Sequence, residues 1–311
     1  MTTIRTVRPA GRPAAWRRVG GATPTGLVFI VPALIAFGVF IAYPLVRTFT
    51  LSTTSTVGFG DSVSVGLRNY WLLLHDPVFL KAARVTAIYT LVTTVLQTVV
   101  PLAFALLIHA GPRRSAIIYR TILFVPATIS LAVTGLLWRL GFAPTFGPVN
   151  RILANIGLGS LQHPWLGDTS TVLPAIIVVS LWQSTGLFVL IFHARLSGLD
   201  PTISDAARID GASALREAWS VTIPSIRPVI DLVVMLNVIS GLKVFDLNYV
   251  MTNGGPLHAS ESFSTYTYQL TFGSTGGGVS SLGYGSALSA VVFLLTAVIT
   301  IVLYRLRRSE P

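Results

Sequence analysis

Between Leu196 and Pro228 the chain carries its most patterned polar segment, LSGLDPTISDAARIDGASALREAWSVTIPSIRP. Asp205-Ala206-Ala207 and Asp210-Gly211-Ala212 recur five residues apart, and Trp219 and Pro224 follow. These residue types make no nucleophile or metal site; their chemistry is that of a contact surface. Asp200-Pro201 opens the segment, and Ser204 is expected to cap a short helix carrying Asp205, Ala206, Ala207 and Ile209. Asp210-Gly211 then breaks the helix. A second helix is expected from Ala212, with Leu215, Trp219 and Thr222 on the same face, until Pro224 stops it. Small side chains at 206, 207, 212 and 214 let another protein approach closely, while Trp219 is expected to anchor the knob to the body of the chain. By pattern alone, an interfacial amphipathic hairpin with no partner fits equally well.

Motifs for bond-making chemistry are missing. A phosphate-cradling loop needs Gly-Lys followed by Ser or Thr, and the two lysines, Lys81 and Lys243, both follow leucine. No His-Glu-x-x-His pair exists, and the histidines at 75, 109, 163, 193 and 258 are scattered singly. With no cysteine there is no thiol catalysis, disulfide or cysteine-ligated metal. Nor does any apolar stretch carry the paired inward carboxylates of a proton-coupled carrier.

The elements that hold the patterned loop follow from composition. Of 311 residues 52% are hydrophobic and only 11% charged, with a mean hydropathy of +0.72, against about 25% charged in soluble domains. A bilayer suits such a chain. Stretches near the 20 or so apolar residues that span it run from Gly26 to Val46, Val85 to Ala110, Thr121 to Trp138, Thr171 to Ala194 and Ser281 to Tyr304. A sixth, Pro228 to Val250, contains Asp231, Lys243 and Asp246, so its uncharged centre is short and the charge bias rather than hydropathy decides it. The net charge of +11 arises from basic residues that flank these spans rather than forming a nucleic-acid patch. With six spans and an inner N-terminus, fifteen arginines fall inside and six basic residues outside. Deleting the fifth span would put Arg305, Arg307 and Arg308 outside, against the positive-inside bias. The basic residues 1–24 are expected to be a disordered cytoplasmic tail ahead of an uncleaved first span, and 25–311 one membrane domain. Prolines 32, 101, 126 and 174 are expected to kink spans rather than end them. The Gly/Ser run from Gly273 to Ser281 reads as a flexible outer loop.

At the loop motifs the sequence resembles the permease subunits of binding-protein-dependent ABC importers, of the sugar type related to the maltose permease. That family's loop reads Glu-Ala-Ala, Asp-Gly-Ala, an aromatic residue and Leu-Pro, matched here by Asp205-Ala206-Ala207, Asp210-Gly211-Ala212, Trp219 and Ile223-Pro224. The likeness extends to Gly66-Leu67-Arg68-Asn69-Tyr70, Asp76-Pro77, Arg120 to Pro126, Gly147-Pro148-Val149-Asn150 and Lys243-Val244-Phe245-Asp246. It closes on Met251-Thr252-Asn253-Gly254-Gly255-Pro256, which resembles the carbohydrate branch.

The resemblance implies an all-α integral membrane protein of the type I ABC importer permease fold: six transmembrane helices and a cytoplasmic coupling-helix loop at about 196–228. It implies a multi-pass protein of the bacterial cytoplasmic membrane with both termini inside. The implied partners are a second permease (as a heterodimer), two ATPase subunits that use ATP and Mg²⁺, an external binding protein, a sugar and membrane lipid. The chain itself would bind no cofactor or nucleic acid and catalyse nothing. The expected sugar-pathway residues are Ser180, Trp182, Gln183 and Ser184 in the fourth span and Asn237, Ser240 and Gly241 in the fifth, which could alternatively glue helices. Lys243 and Asp246 are expected to snorkel to the outer interface or to pair. The competing class is a stand-alone secondary carrier or channel.

Overall fold

A computed structural model describes residues 24–55, 63–273 and 281–308. The basic tail and most of the Gly/Ser run lie outside the described residues. The chain divides into two compact units, one up to Arg47 and a second from Thr48.

The first unit contains α1 (Pro24–Phe37), which passes through a π-turn (Gly38–Ala42) into α2 (Tyr43–Ser52). Pro32 sits within α1 without breaking it. In the second unit a two-residue hairpin, β1 (Thr54–Ser55) with β2 (Val63–Ser64), leads to α3 (Arg68–Leu74). The long α4 (Pro77–Ala110) starts eight residues before the expected span. Asp76 is the cause: its side chain accepts from the Val78 amide at 2.8 Å, and Pro77 occupies the first helical position, where no donor is needed. The same carboxylate accepts from the hydroxyls of Tyr266 and Tyr284, the latter at 2.8 Å. Burial raises the Asp76 carboxyl, but the bonds from Tyr266, Tyr284 and the Val78 and Phe79 amides outweigh it and hold the group below the ordinary carboxylate range.

The expected third span is broken. It consists of α5 (Arg113–Phe124), a 3₁₀ turn (Val125–Thr128) and α6 (Leu131–Gly141), bent by 94°. Pro126 lies in the turn, where its missing N–H and ring disfavour an α-helix, and Ser130 restarts the helix by capping the Val133 amide at 3.4 Å. A short α7 (Pro148–Asn155) precedes α8 (Val172–Ser197), where Pro174 falls in the first turn and costs no bond. Pro101 lies inside continuous α4, so of the four prolines only Pro126 accompanies a break.

After α8 come α9 (Pro201–Ile209), α10 (Ala214–Glu217), a π-turn (Ala218–Thr222), α11 (Ile223–Ser225) and α12 (Arg227–Leu242). The expected fifth span ends early: Lys243–Phe245 interrupt it, and α13 (Asp246–Thr252) is separate and packs on α6. Lys243 lies in this break and Asp246 opens α13, while Asp231 lies within α12. The chain finishes with α14 (Phe263–Phe272) and α15 (Leu282–Arg308). Among the described residues four helical stretches are long and apolar enough to cross a bilayer alone. There are six spans if the pairs Ser115–Thr128 with Leu131–Gly141 and Ala214–Ser225 with Arg227–Leu242 each count as one.

Among the described residues three core clusters hold the bundle, one of them packing Leu73 and Phe79 against Phe263 and Leu288. Ile176, Val179, Leu247 and Met251 centre a second. Phe188, Phe192, Ile226 and Val233 centre the third, beside the patterned loop. Because α12 leaves the loop at Arg227 and reaches Leu242 about 24 Å further on, α13 and α14 lie at the opposite end of the bundle from α9.

Candidate functional site

The patterned loop folds as two short helices joined by a turn, with boundaries that differ from the sequence reading. Asp200, not Ser204, starts α9: its Oδ1 accepts from the Thr202 amide at 3.0 Å and from the Thr202 hydroxyl at 2.8 Å. Those two bonds hold the Asp200 carboxyl below its ordinary range. At the other end the Ala212 amide donates to the Ala207 carbonyl at 3.0 Å, a bond spanning five residues, with Gly211 at φ +79° between them. This is a Schellman cap, and Gly211 supplies its left-handed position. No atom lies within 4 Å of where a Gly211 Cβ would sit, so conformation rather than close approach requires glycine.

The second helix begins at Ala214 rather than Ala212, with Ser213 accepting from the Arg216 amide at 3.4 Å. Pro224 does not stop it. The π-turn widens the backbone before the proline, helix resumes over Ile223–Ser225, and the chain bends by 71° only on entering α12. Arg195 at the end of α8 donates to the Ser225 carbonyl at 3.2 Å and ties this bend to the bundle. Trp219 is no anchor to the body, since 66% of it is exposed, together with Ile209 at 86% and Leu215 at 71%. Asp205, Ala206, Asp210, Gly211 and Pro224 are also exposed, and Ala207 and Ala212 are half-buried. The loop thus presents small, acidic and large apolar side chains outward together.

The second feature is a cavity of about 440 Å³ between α4, α8, α12 and α13. It gathers six of the seven expected pathway residues: Ser180, Gln183, Ser184, Asn237, Ser240 and Gly241. Trp182 is the exception. On a helix of 3.6 residues per turn it points about 100° away from Gln183, and it packs edge-on against Trp138 with centroids 5.6 Å apart. Gly241 also serves packing, because a Cβ there would lie 2.8 Å from the Thr90 hydroxyl and 2.9 Å from its Cα.

Residues absent from the sequence reading complete the wall. From α4, Tyr89 donates to the Ser180 hydroxyl oxygen at 2.8 Å, and Gln97 donates to the same oxygen at 2.9 Å. These bonds also fasten α4 to α8. Tyr89, Thr93 and Gln97 stand at four-residue spacing, a polar stripe in an apolar span that was a readable signal. Gln183 reaches the Ile129 carbonyl at 3.4 Å, in the break before α6. Asn237 is 2% exposed, and its amide nitrogen has no partner among the described residues. Lys243 and Asp246 line the cavity beside Phe245 and do not pair with each other.

A mainly helical bundle with an exposed loop on one end and polar side chains lining a cavity between its helices suits a membrane permease. The chain belongs to the family described as binding-protein-dependent transport system inner membrane component, whose model matches residues 81–309. Among its relatives, the probable ABC transporter permease protein YurN of Bacillus subtilis is 32% identical over 88% of this chain and 92% of its own. The trehalose/maltose transport system permease protein MalF of Thermococcus litoralis is 31% identical over 91% and 93%. The lactose transport system permease protein LacF of Rhizobium radiobacter is 31% identical over 88% and 91%. A solved bacterial ABC transporter involved in the import of the acidic polysaccharide alginate has a chain that superposes with a TM-score of 0.79 at 22% identity, covering 92% of this chain and 96% of that one. The fold is that of a type I ABC importer permease, in a multi-pass membrane protein.

Proposed function

We propose that this chain is one of two permease subunits of an ATP-driven importer for a sugar or related solute. In this reading an external binding protein delivers the solute, the two permeases enclose its path, and two separate ATPase subunits hydrolyse ATP with Mg²⁺. The observation that carries it is the route from loop to cavity. The exposed surface of α9 to α11 bends directly into α12, and α12 places Asn237, Ser240 and Gly241 in the cavity wall 10 to 14 residues on, roughly 15–21 Å away. A rigid helix of that length passes a displacement of the loop to the cavity as a rotation. Relatives named for trehalose/maltose and lactose transport support a saccharide as cargo. The cavity's amides and hydroxyls suit its many hydroxyl groups.

Gln183→Leu and Asn237→Leu are each expected to weaken uptake roughly 2- to 10-fold while leaving assembly with the ATPase intact, the equivalent of about 0.5–1.5 kcal/mol for one hydrogen bond. Uptake kinetics unchanged in both variants would leave these side chains as helix glue. The basic-residue asymmetry further supports cytoplasmic N- and C-termini in a bacterial plasma membrane. A reporter fused after Arg308 should read as cytoplasmic; an external reading would overturn the six-span arrangement.

A further inference from the structure

Helix α4 carries a second polar row beside the one that lines the cavity. Thr86, Thr90, Thr94 and Thr98 follow Tyr89, Thr93 and Gln97 around the helix at the same four-residue spacing, yet none of the four lines the cavity. This row meets α12, because a Cβ on Gly241 would lie 2.8 Å from the Thr90 hydroxyl. The two helices run antiparallel: Ala105 and Ile108 near the end of α4 share a core cluster with Ile226 and Val233 at the start of α12. One turn from the contact of Gly241 with Thr90, toward the loop, therefore sets Asn237 level with Thr94.

The seam between these rows is polar, dry and unpaired. At its outer end the Thr86 hydroxyl oxygen accepts from the Phe263 amide at 3.1 Å. The hydroxyls of Thr90, Thr94 and Thr98 and the amide nitrogen of Asn237 are sealed from solvent and have no hydrogen-bond partner among the described residues. A threonine inside a helix commonly returns its hydroxyl to the carbonyl one turn back, as Thr93, Thr267 and Thr296 do at 2.6, 2.8 and 2.7 Å. The α4 row departs from that habit where it faces α12. Groups that glued the two helices would be bonded to each other, and groups that served the solute would open into the cavity. These do neither, although an amide donor and a hydroxyl oxygen are complementary.

We propose that Thr94 is a positioning residue for transport: when the loop turns α12, the Asn237 amide donates to the Thr94 hydroxyl oxygen, and that bond favours the second arrangement of the bundle. This rests on the importer reading above. Gly241 suits the motion, since no side chain of α12 catches on Thr90 as the helices slide. The groups left unpaired in one arrangement then find partners in the other, so neither arrangement is favoured so strongly that the cycle stops.

Thr94→Val removes the hydroxyl and keeps a branched side chain, whereas Thr94→Ser keeps the hydroxyl. Both would be made in the assembled transporter, with ATP-driven uptake of maltose, trehalose and lactose measured in vesicles and the thermal midpoint measured in detergent. Thr94→Val is expected to lower the maximal uptake rate roughly three- to tenfold, the loss of one hydrogen bond from one of two states. Its thermal midpoint should stay the same or rise, because the hydroxyl has no partner to lose in the present arrangement. Thr94→Ser should restore uptake, and Thr94→Val combined with Asn237→Leu should be no slower than the slower single variant. Wild-type uptake in Thr94→Val would overturn the proposal and leave the importer reading standing. A lowered thermal midpoint would make the hydroxyl helix glue, and multiplying losses in the double variant would show that the two residues act separately; either result would also overturn it. Absence of ATP-driven uptake of all three sugars by the wild-type assembly would overturn the saccharide importer reading and this inference with it.

Discussion

Gly211→Val is expected to insert into the membrane normally and yet lose ATP-driven uptake by more than about tenfold. Gly211 sits at φ +79° in the cap that ends α9, and the Ala212 to Ala207 bond depends on that conformation. Held in a left-handed conformation, a β-branched residue costs about 1–3 kcal/mol. Because nothing surrounds the position within 4 Å, the turn can escape that cost by rearranging. Rearrangement turns α9 relative to α10 and displaces the exposed face that carries Asp205, Ala206 and Ile209. The hydrophobic core beside the loop, built on Phe188, Phe192 and Val233, is untouched, so the bundle should remain folded. Membrane content, capture of the ATPase and uptake in vesicles would be measured together. Asp205→Lys, which reverses an exposed charge on the same surface, should give a milder form. Wild-type capture and uptake in Gly211→Val would reduce the loop to a connector.

Gly186→Val is expected to have the opposite character, destroying the fold rather than its coupling. A Cβ at Gly186 would lie 2.0 Å from the Leu123 carbonyl oxygen, 2.5 Å from its carbon and 2.6 Å from the Phe124 Cα. All three are backbone atoms next to the 3₁₀ turn, so no side chain can swing aside to make room. Overpacking typically costs 1–3 kcal/mol, and here a value near or above about 3 kcal/mol is expected because α8 must separate from α5. Folded protein recovered in detergent should fall several-fold, with Gly186→Ala intermediate. An unaltered thermal midpoint in Gly186→Ala would show that the two backbones part without cost.

The two glycines illustrate what the sequence makes legible. Gly211 was readable because Asp-Gly between two helical patterns marks a reversal whatever surrounds it. Gly186 was not, because its constraint comes from Leu123, 63 positions away in the chain. Span existence followed from hydropathy, but span shape did not. Pro126 leaves a break while Pro101 sits within an unbroken α4, a difference set by how neighbouring groups take up the freed backbone. In the loop, local preferences misplaced both starts by about one turn at most: Asp200 rather than Ser204 caps α9, and Ser213 caps a second helix that begins two residues after Ala212. Trp219, expected to anchor the loop, is instead exposed, since its position on the short second helix turns it away from the bundle. At the cavity, polar residues of α8 and α12 stood out one by one. The α4 stripe of Tyr89, Thr93 and Gln97 was overlooked among the hydroxyl residues of an otherwise apolar span. Trp182 failed as a cavity residue for a periodic reason, since three- and four-residue steps join Ser180, Gln183 and Ser184 and pass it by.

The central claim is that this chain encloses a path and takes its driving force from a separate ATPase through the loop between α8 and α12. The most direct measurement compares solute accumulation in proteoliposomes holding this chain with its partner permease, with and without the ATPase subunits, while ATP is supplied on the loop side. Accumulation against a gradient is expected only when ATPase and ATP are both present, and it should vanish in Gly211→Val. Transport by the permeases alone, at a comparable rate and indifferent to ATP, would contradict the account and make the chain a self-sufficient carrier or channel.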